Sequence, residues 1–289
     1  MKILILGNGF IGKAIIQRLE SEGHEILIYS RTLRQDIQSR QILGDIFDGE
    51  SFRKSLSWGP QVIIQTAWIT THGRYMDDPL NNLYSQFTRN LAAQIANLDV
   101  EHLVVLGTCA EYGSQSQAST AGITRLSPTT LYAKQKVAAF ESLSESLRNS
   151  STRLSWARVF QPYGSGQDKK RLLPFLIDSL RKGEQIKLND TSSILDWITT
   201  RDIASAISWI INNDTPMEVD IGTTVGFTNV ELLGHLEELL GDSNQWLQLV
   251  PDSPSIEAVT VVGKDSPLFR SGWVPSDSLE VGLKWILEE

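Results

Sequence analysis

The chain alternates between short apolar runs and longer amphipathic stretches. The runs are rich in Ile, Val and Leu, as is typical of strands buried on both faces, and the stretches between them repeat apolar residues with helical spacing. Strands are predicted at residues 3–6, 25–29, 41–46, 60–65 and 102–106. Helices are predicted from the first turn to residue 19, at 48–56, at 81–98, from 129 onward and at 172–182. This alternation indicates an α/β fold with a doubly wound, mainly parallel sheet.

A glycine-rich turn follows the first predicted strand. Gly7, Gly9 and Gly12 have the spacing G-x-G-x-x-G between a strand and a helix, which is the order of a dinucleotide-binding turn. The first glycine permits the tight bend, the second lets the backbone approach a pyrophosphate, and the third lets the helix lie close to the strand. Phe10 and Ile11, inside the turn, are assigned to the same cofactor site. The alternative is an ordinary tight turn that is rich in glycine.

The residues after the second strand favour NADPH over NADH. In NAD-preferring folds an acidic residue, roughly 20 positions after the glycines, binds the ribose 2′-hydroxyl. This chain has Ser30 and Arg31 there, with Arg34 close behind. Arginine can pair with a 2′-phosphate through two hydrogen bonds, whereas an acid would repel it. A solvated loop arginine is the alternative interpretation.

Two further strand ends provide candidate cofactor contacts. Asp45 is expected either at the adenine amino group, with Ile46 packed on the ring, or as the cap of the following helix. After the fourth strand come Thr66, Ala67 and Trp68, and the two small residues would let the backbone run beside the nicotinamide ribose. Ligands of parallel sheets bind at such strand ends.

The loop that follows the fourth strand is a candidate substrate contact. Residues 69–79 contain polar and aromatic side chains, among them His72 and Tyr75. A loop at the carboxyl edge of a parallel sheet is a common ligand-binding position, so both residues are assigned to the substrate. A merely solvated loop is the alternative.

Three residues are candidates for catalysis. Tyr132 and Lys136 lie four positions apart in a predicted helix and project from one face, while Thr108 follows the fifth strand. A free phenol has a pKa of about 10, and we expect the Lys136 ammonium to lower the pKa of Tyr132 and to reach ribose hydroxyls. Thr108 can place its hydroxyl on the same carbonyl oxygen as Tyr132. The alternative is an exposed i,i+4 pair.

Composition and charge exclude several classes of partner. The chain has 289 residues, 41% of them apolar and 21% charged, with a net charge of −8, which argues against nucleic acid or an anionic membrane as partner. No apolar run approaches the roughly 20 residues of a membrane span, and no signal-peptide cleavage site follows the first run. The single cysteine, Cys109, fits a reducing cytoplasm, and the scattered histidines indicate no metal site.

Combined, these motifs resemble the extended short-chain dehydrogenase/reductase family, in its branch of NAD(P)-dependent nucleotide-sugar epimerases, dehydratases and reductases. Besides the glycine turn, the matching segments are Gly44-Asp45-Ile46, Thr108-x-x-x-Tyr112-Gly113, Tyr132-x-x-x-Lys136, Arg158-Val-Phe-Gln-Pro-Tyr-Gly164, Asp196-Trp197 with Asp202-Ile-Ala204, and Gly272-Trp-Val-Pro275. The resemblance spans nearly the whole chain and is densest before residue 165.

The resemblance implies a site, a domain division and an assembly. Thr108, Tyr132 and Lys136 become a catalytic triad, and the remaining assignments are Phe160 to the cofactor and Thr108, Glu111, Tyr112, Gln161 and Arg171 to the substrate. Residues 1–160 with about 200–222 are expected to form the dinucleotide-binding domain, and 161–199 with 223–289 a smaller, interleaved substrate lobe. The resemblance also implies that a strand at 217–221 returns to the main sheet. Family members are commonly dimers through the helices at 81–98 and around Tyr132, so a homodimer is expected.

Departures from the family pattern distinguish among its reactions. The 4,6-dehydratases resemble T-D-E-x-Y-G, whereas this chain has Cys109 and Ala110 in place of the two acids. The enzymes that make GDP-fucose carry a cysteine two places after the catalytic serine and a histidine in the lobe, whereas here Cys109 comes one place after Thr108 and no histidine lies between His102 and His235. The segment 108–112, with Ala67-Trp68, instead resembles reductases of NDP-4-keto-6-deoxysugars of the abequose and fucose type.

The substrate lobe departs from the family at the residue that binds the diphosphate. Leu195 stands where many relatives have an arginine. Candidates for the missing positive charge are Lys169, Lys170 and Arg171, which a solvated basic loop would equally explain.

The function expected from the sequence is therefore NADPH-dependent reduction of the keto group of a nucleotide-linked sugar. One alternative is an NAD-dependent nucleotide-sugar 4-epimerase, although Arg31 weighs against retained NAD. The alternative of another class is a non-catalytic NADP(H)-binding sensor or scaffold protein, against which the Tyr132/Lys136 pair argues.

Overall fold

Strands and helices alternate along most of the chain. The computed structural model describes residues 1–241, 247–249 and 258–288, with the backbone alone for 247–249. The strands are β1 (Lys2–Leu6), β2 (Glu25–Ser30), β3 (Arg40–Leu43), β4 (Val62–Gln65), β5 (His102–Thr108), β6 (Arg153–Val159), β7 (Gln161–Tyr163), β8 (Ile186–Leu188), β9 (Ile194–Leu195), β10 (Trp197–Thr199), β11 (Glu218–Ile221), β12 (Phe227–Thr228), β13 (Leu247–Leu249) and β14 (Val259–Thr260). The helices are α1 (Phe10–Ser21), α2 (Gly49–Leu56), α3 (Leu80–Ile95), α4 (Leu131–Leu147), α5 (Leu172–Lys182), α6 (Thr200–Asn212), α7 (Asn229–Leu240), α8 (Pro267–Arg270) and α9 (Leu279–Glu288), with one 3₁₀ helix at Cys109–Tyr112.

A parallel sheet of seven strands carries the fold. Its strand order is β11-β6-β5-β4-β1-β2-β3, and every neighbouring pair is parallel. The order in which successive strands are added to the sheet reverses between β1 and β4, which remain parallel. At that point Leu6 is in register with Gln65. The carboxyl ends of β1, β2, β4 and β5 thus meet at the edge where ligands bind in doubly wound sheets. The predicted α/β fold is confirmed.

Helices cover both faces of this sheet because each has one apolar stripe. In α1, Ile15, Ile16 and Leu19 recur at helical spacing and are fully buried against the strands, beside residues of α6. The opposite face is covered by α2, α3 and α4, whose buried residues include Phe52 and Leu91. The strands are therefore covered on both sides, which explains their continuously apolar runs.

A second, smaller apolar core lies within the C-terminal half of the chain. It is formed by leucines of α5, α7 and α9, among them Leu176, Leu236 and Leu283. The short sheets β10-β7, β12-β9-β14 and β13-β8 belong to this half. The predicted return of residues 217–221 to the main sheet is confirmed by β11, which pairs with β6.

We propose the division into two lobes at the boundaries expected from the sequence, with one exception. Leu268 and Trp273 lie within 223–289, yet their side chains are buried in the core that contains α1 and α6. The segment around α8 therefore packs on the dinucleotide-binding part. Its apolar side chains are too few to reveal this placement in the sequence.

Candidate active site

The glycine turn after β1 has the geometry that its motif predicts. Gly7 has φ of 101°, in the left-handed region that favours glycine. A Cβ on Gly12 would lie 2.6 Å from the Gly7 carbonyl oxygen, so only glycine lets α1 begin this close to the strand. Gly9 differs from both, because a Cβ there would meet nothing within 4 Å. Its backbone faces open space at the start of α1.

The end of β2 is tied to the glycine turn by a small hydrogen-bond network. The Asn8 amide and the Ser30 hydroxyl both donate to the Thr32 carbonyl, at 2.7 and 2.6 Å. Arg31 is exposed and lines the adjoining cavity, and among the described residues it forms no ion pair. Arg34, in contrast, donates to Asp36 at 3.1 Å. Arg31 is thus the arginine that is free to meet a ligand.

One cavity of about 690 Å³ joins the strand ends. Nineteen of the residues assigned from the sequence line it: Gly7, Gly9, Phe10, Ile11, Gly12, Ser30, Arg31, Ile46, Thr66, Ala67, Trp68, His72, Tyr75, Thr108, Tyr132, Lys136, Phe160, Gln161 and Arg171. The three assigned residues that do not line it are Asp45, Glu111 and Tyr112. The tertiary fold therefore brings the cofactor, catalytic and substrate candidates to one space.

Asp45 does not take the second of its two expected positions, the cap of α2. Its carboxylate accepts the backbone N–H of Phe47 at 3.0 Å, and α2 is capped by Asp48, which accepts from Glu50 and Ser51. The capping residue of α2 thus lies three positions further along the chain than the alternative for Asp45 expected, and the helix begins at Gly49. The adenine contact of the Asp45 side chain stays a prediction.

Thr108, Tyr132 and Lys136 converge at one side of the cavity. Thr108 ends β5, and Tyr132 and Lys136 lie on successive turns of α4. The ammonium of Lys136 donates to the Leu106 carbonyl at 2.5 Å and lies 3.9 Å from the centroid of the Trp68 ring. The buried side chain of Lys136 thus forms the inner wall of the cavity at this side.

Burial dominates the proton affinities of this group. It lowers the pKa of Lys136 to about 7. Burial also raises the pKa of Tyr132, and the neighbouring Thr108 hydroxyl opposes part of that rise. The expectation that Lys136 lowers the pKa of Tyr132 does not fit this geometry, because Nζ lies 6.0 Å from the phenol ring and is bonded to Leu106. At neutral pH the Tyr132 phenol therefore holds its proton.

An aromatic and cationic cover connects the loop after β4 with α5. The ring of Tyr75 packs edge-on against Tyr132, with centroids 5.0 Å apart. The Arg171 guanidinium lies 4.9 Å from the Tyr75 centroid and donates to the Thr70 carbonyl at 2.9 Å. Of the three basic residues before α5, only Arg171 lines the cavity.

Glu111 and Tyr112 point into the protein interior, so a substrate contact does not fit either residue. The Glu111 carboxylate is fully buried and bonded to Arg158 at 2.7 Å. The phenol of Tyr112 donates to Asp220 at 2.7 Å. The 3₁₀ helix turns these side chains away from the cavity, which a strand-end motif does not reveal.

The wild-type protein should lose stability as pH rises because of Asp220, and replacing this residue with asparagine should abolish that pH dependence. The buried carboxyl accepts from the Tyr112 phenol and the Ala121 N–H, both at 2.7 Å. Burial raises its pKa to about 7, above the value of about 3.9 in an unfolded chain. The folded state therefore binds more protons between about pH 4 and 7, and through this group its stability falls as pH rises.

An asparagine amide can accept from Ala121 and donate to Tyr112, so both partners stay bonded. We expect the Tm of Asp220→Asn, relative to the wild type, to increase between about pH 5 and about pH 8. A constant difference in Tm would contradict the raised pKa of Asp220.

Several cavity-lining residues were not assigned from the sequence. They include Asn8, Thr32, Gly44, Thr70, Tyr84, Gln167, Asp168 and Trp197. Asn8 lies inside the glycine motif, Gly44 inside the Gly44-Asp45-Ile46 match and Trp197 inside the Asp196-Trp197 match, so these three had a signal. Gln167 and Asp168 lie in an irregular loop without any sequence pattern.

The parallel sheet and its glycine turn define a Rossmann-type dinucleotide-dependent enzyme. The chain belongs to the NAD-dependent epimerase/dehydratase family, whose sequence profile matches residues 3–222. It is therefore an oxidoreductase-type enzyme of the extended short-chain dehydrogenase/reductase kind, in a family of nucleotide-sugar epimerases and dehydratases.

Individual relatives are distant, and two of the three described next cover nearly the whole chain. A UDP-glucose 4-epimerase of Rhizobium leguminosarum bv. trifolii is 24% identical over 309 residues, 96% of this chain and 93% of that protein. A CDP-abequose synthase of Salmonella typhimurium is 25% identical over 138 residues, 45% of this chain and 46% of that protein. The structure of a Thermus thermophilus UDP-glucose 4-epimerase with NAD has a TM-score of 0.85 and 23% identity, and covers 100% of this chain and 98% of that one.

The structure also bears on membrane association. None of the helices in the described ranges is both long and apolar enough to cross a bilayer. The cytoplasmic location and the homodimer stay predictions from composition and family resemblance.

Proposed function

We propose that this protein uses NADPH to reduce the keto group of a nucleotide-linked sugar of the NDP-4-keto-6-deoxyhexose type. The observation that supports this most is a single cavity that is lined by the glycine turn, Arg31 and the group formed by Thr108, Tyr132 and Lys136. A cofactor site and a proton donor share this space. The CDP-abequose synthase match adds to the resemblance with abequose-type reductases.

The residues at one end of the cavity fit a dinucleotide. The absence of a side chain at Gly9 leaves room at the N-terminus of α1, where unpaired N–H groups and the helix dipole favour phosphate. Arg31 would pair with a 2′-phosphate, since no carboxylate of the described residues engages it. When bound, NADPH supplies the hydride, and the remaining chemistry belongs to the chain.

Tyr132 is the proposed general acid. Its raised pKa keeps the proton on the phenol at neutral pH, which is the state required to protonate a developing alkoxide. Thr108, whose hydroxyl opposes the rise in the pKa of the same phenol, would orient and polarise the carbonyl oxygen. Lys136, whose pKa is near 7, would bind the ribose hydroxyls from the buried side.

The opposite end of the cavity is proposed to bind the nucleotide-sugar. Among its lining residues from 161 onward, within the described ranges, Arg171 is the one cation. It takes the place of the arginine that Leu195 replaces, and Gln161 and Tyr75 add polar contacts nearby. A diphosphate would then bind between the N-terminus of α5 and the loop after β4.

A nucleotide-sugar 4-epimerase is the second candidate. It is favoured by the Rhizobium relative, which matches 96% of this chain. An epimerase requires the same Thr108, Tyr132 and Lys136 but consumes no net reductant. It would retain NAD rather than exchange NADPH.

A turnover assay separates the two candidates. Purified protein is mixed with a panel of NDP-4-keto-6-deoxysugars and either NADPH or NADH, and the absorbance of the reduced nicotinamide is followed. Consumption of NADPH with one nucleotide sugar is the expected result. No consumption with any sugar, together with NAD released on denaturation, would overturn the reductase in favour of the epimerase.

Replacing Gly9 with alanine should abolish nucleotide binding without harming the fold. Because a Cβ at Gly9 meets no protein atom within 4 Å, Tm should stay close to that of the wild type, while the methyl group occupies the path of the pyrophosphate. Gly12→Ala is the matched contrast, since its Cβ would lie 2.6 Å from the Gly7 carbonyl oxygen and should lower both Tm and binding. Unchanged NADPH affinity in Gly9→Ala, measured by fluorescence titration, would contradict the proposed phosphate position.

A further inference from the structure

The carboxylate of Glu111 lies directly behind the backbone of Thr108. Its Oε1 accepts the Thr108 N–H at 2.9 Å, and the Thr108 hydroxyl accepts the Ala110 N–H at 3.3 Å. These bonds form a capping box at the start of the 3₁₀ helix. Glu111 is fully buried and does not line the cavity. It therefore fixes the backbone of Thr108 without touching the space where a ligand would bind.

Two side chains of β6 hold the same carboxylate in place. The Trp156 indole N–H lies 3.1 and 3.0 Å from the two Glu111 oxygens, and Nε of Arg158 lies 2.7 Å from Oε2. Arg158 is itself fully buried and donates to Glu218 at 2.8 Å. A buried charge pair requires such additional hydrogen bonds to offset desolvation. The orientation of the Glu111 carboxylate is therefore tightly determined.

Glu111 also acts on the buried lysine of the site. Lys136 donates to the Leu106 carbonyl, and the negative charge of Glu111 favours its protonated form against the effect of burial. The other titratable groups around the adjacent phenol are Cys109 and Tyr75, with Arg158 behind Glu111. Nζ of Lys136 lies 6.0 Å from the centroid of the Trp156 ring, and the indole N–H of that ring lies 3.0 Å from Glu111 Oε2. The Glu111 carboxylate and the Lys136 ammonium therefore lie around the same side chain.

We infer that Glu111 is a positioning residue of the proposed active site: held by Arg158 and Trp156, it fixes the backbone of Thr108 and supplies negative charge to the Lys136 ammonium. The inference rests on the proposed roles of Thr108 and Lys136. A purely structural ion pair is the competing explanation. The two differ in one respect, because only the positioning role couples Glu111 to the pH at which Lys136 loses its proton.

The test is the pH dependence of NADPH binding, followed by the fluorescence of the reduced nicotinamide. The protonated Lys136 favours binding, so the affinity of the wild type should fall as pH rises through the deprotonation of this residue, and Lys136→Met should lack that transition. Glu111→Gln removes the charge with little change of shape. In this variant the fall of NADPH affinity should occur about one pH unit lower than in the wild type. A shift of one unit is the smaller end of the change in pKa that a nearby opposite charge causes. Once a substrate is found, kcat should fall about 100-fold through misplacement of Thr108.

Two further variants separate positioning from stability. Glu218→Gln removes the other carboxylate partner of Arg158 but leaves the Glu111 contacts intact, so its transition should match that of the wild type. Glu111→Gln/Arg158→Met removes both buried charges, and such a replacement is often neutral for stability. The positioning role predicts that the NADPH affinity of this double variant still falls at a lower pH than that of the wild type, even where Tm is restored.

Each remaining outcome has a definite reading. The inference would be overturned if Glu111→Gln folds and its NADPH affinity falls at the same pH as in the wild type. It would also be overturned if the affinity of the double variant falls at the wild-type pH. A double variant that fails to fold would assign the pair to folding and would also overturn it. A wild type that binds no NADPH at any pH would instead overturn the proposed function, which keeps the two failures distinguishable.

Discussion

Replacing Tyr132 with phenylalanine should reduce turnover by about 10³-fold or more, since a positioned general acid typically contributes about 10²–10⁴-fold. The substitution removes the phenol oxygen and leaves the ring that packs against Tyr75 and Trp68. NADPH affinity and Tm should therefore stay near those of the wild type. Rates are measured with saturating NADPH and the nucleotide sugar found in the panel.

Lys134→Ala is the matched control for this variant. Lys134 lies on the same helix as Tyr132, but its side chain is exposed to solvent. It should retain wild-type turnover, which would show that the helix itself is undisturbed by substitution. Substantial activity in Tyr132→Phe would remove the phenol from the mechanism and with it the assignment of the site.

Replacing Arg31 with glutamine should weaken NADPH binding by about 10- to 100-fold, the range expected for one or two hydrogen bonds between charged groups. Binding of NADH, which has no 2′-phosphate, should change little. The preference between the two cofactors is then lost or reversed. Dissociation constants for both nucleotides, measured by fluorescence titration, give the result directly.

Arg34→Gln provides the control for this prediction. Arg34 follows Arg31 closely in the sequence, but its guanidinium is already engaged by Asp36. Its loss should affect both nucleotides slightly and equally. Equal affinities of Arg31→Gln and the wild type for NADPH would show that Arg31 is only a solvated loop residue. The balance would then shift toward an epimerase that retains NAD.

Features that depend on local chain chemistry could be predicted from the sequence. The glycine turn is recognisable because a bend and a close helix start each require a missing side chain at a fixed spacing. The buried parallel strands follow from their apolar runs, and Tyr132 and Lys136 share a helix face by helical geometry. The bounds 172–182 of α5 agree with the sequence because its apolar stripe ends at Gly183, a left-handed cap.

Other features depend on residues that are distant in the chain. Glu111 belongs to a motif that suggests a ligand contact, yet its partners Trp156 and Arg158 lie on the neighbouring strand β6, and only strand pairing shows that the side chain points inward. Burial, which has no local sequence signal, likewise reverses the expected pKa of Tyr132.

The sequence by itself therefore determined the fold class, the nucleotide turn and the identity of the catalytic candidates, because each depends on short-range spacing. The tertiary structure decided which of the candidate side chains face the cavity. It placed Asp45, Glu111 and Tyr112 outside that lining and added Gln167 and Asp168 from a loop without a pattern. The physical reason is that the direction of a side chain at a strand end is set by the elements packed against it, and those lie up to about a hundred residues away in the chain, as the bond between Tyr112 and Asp220 shows.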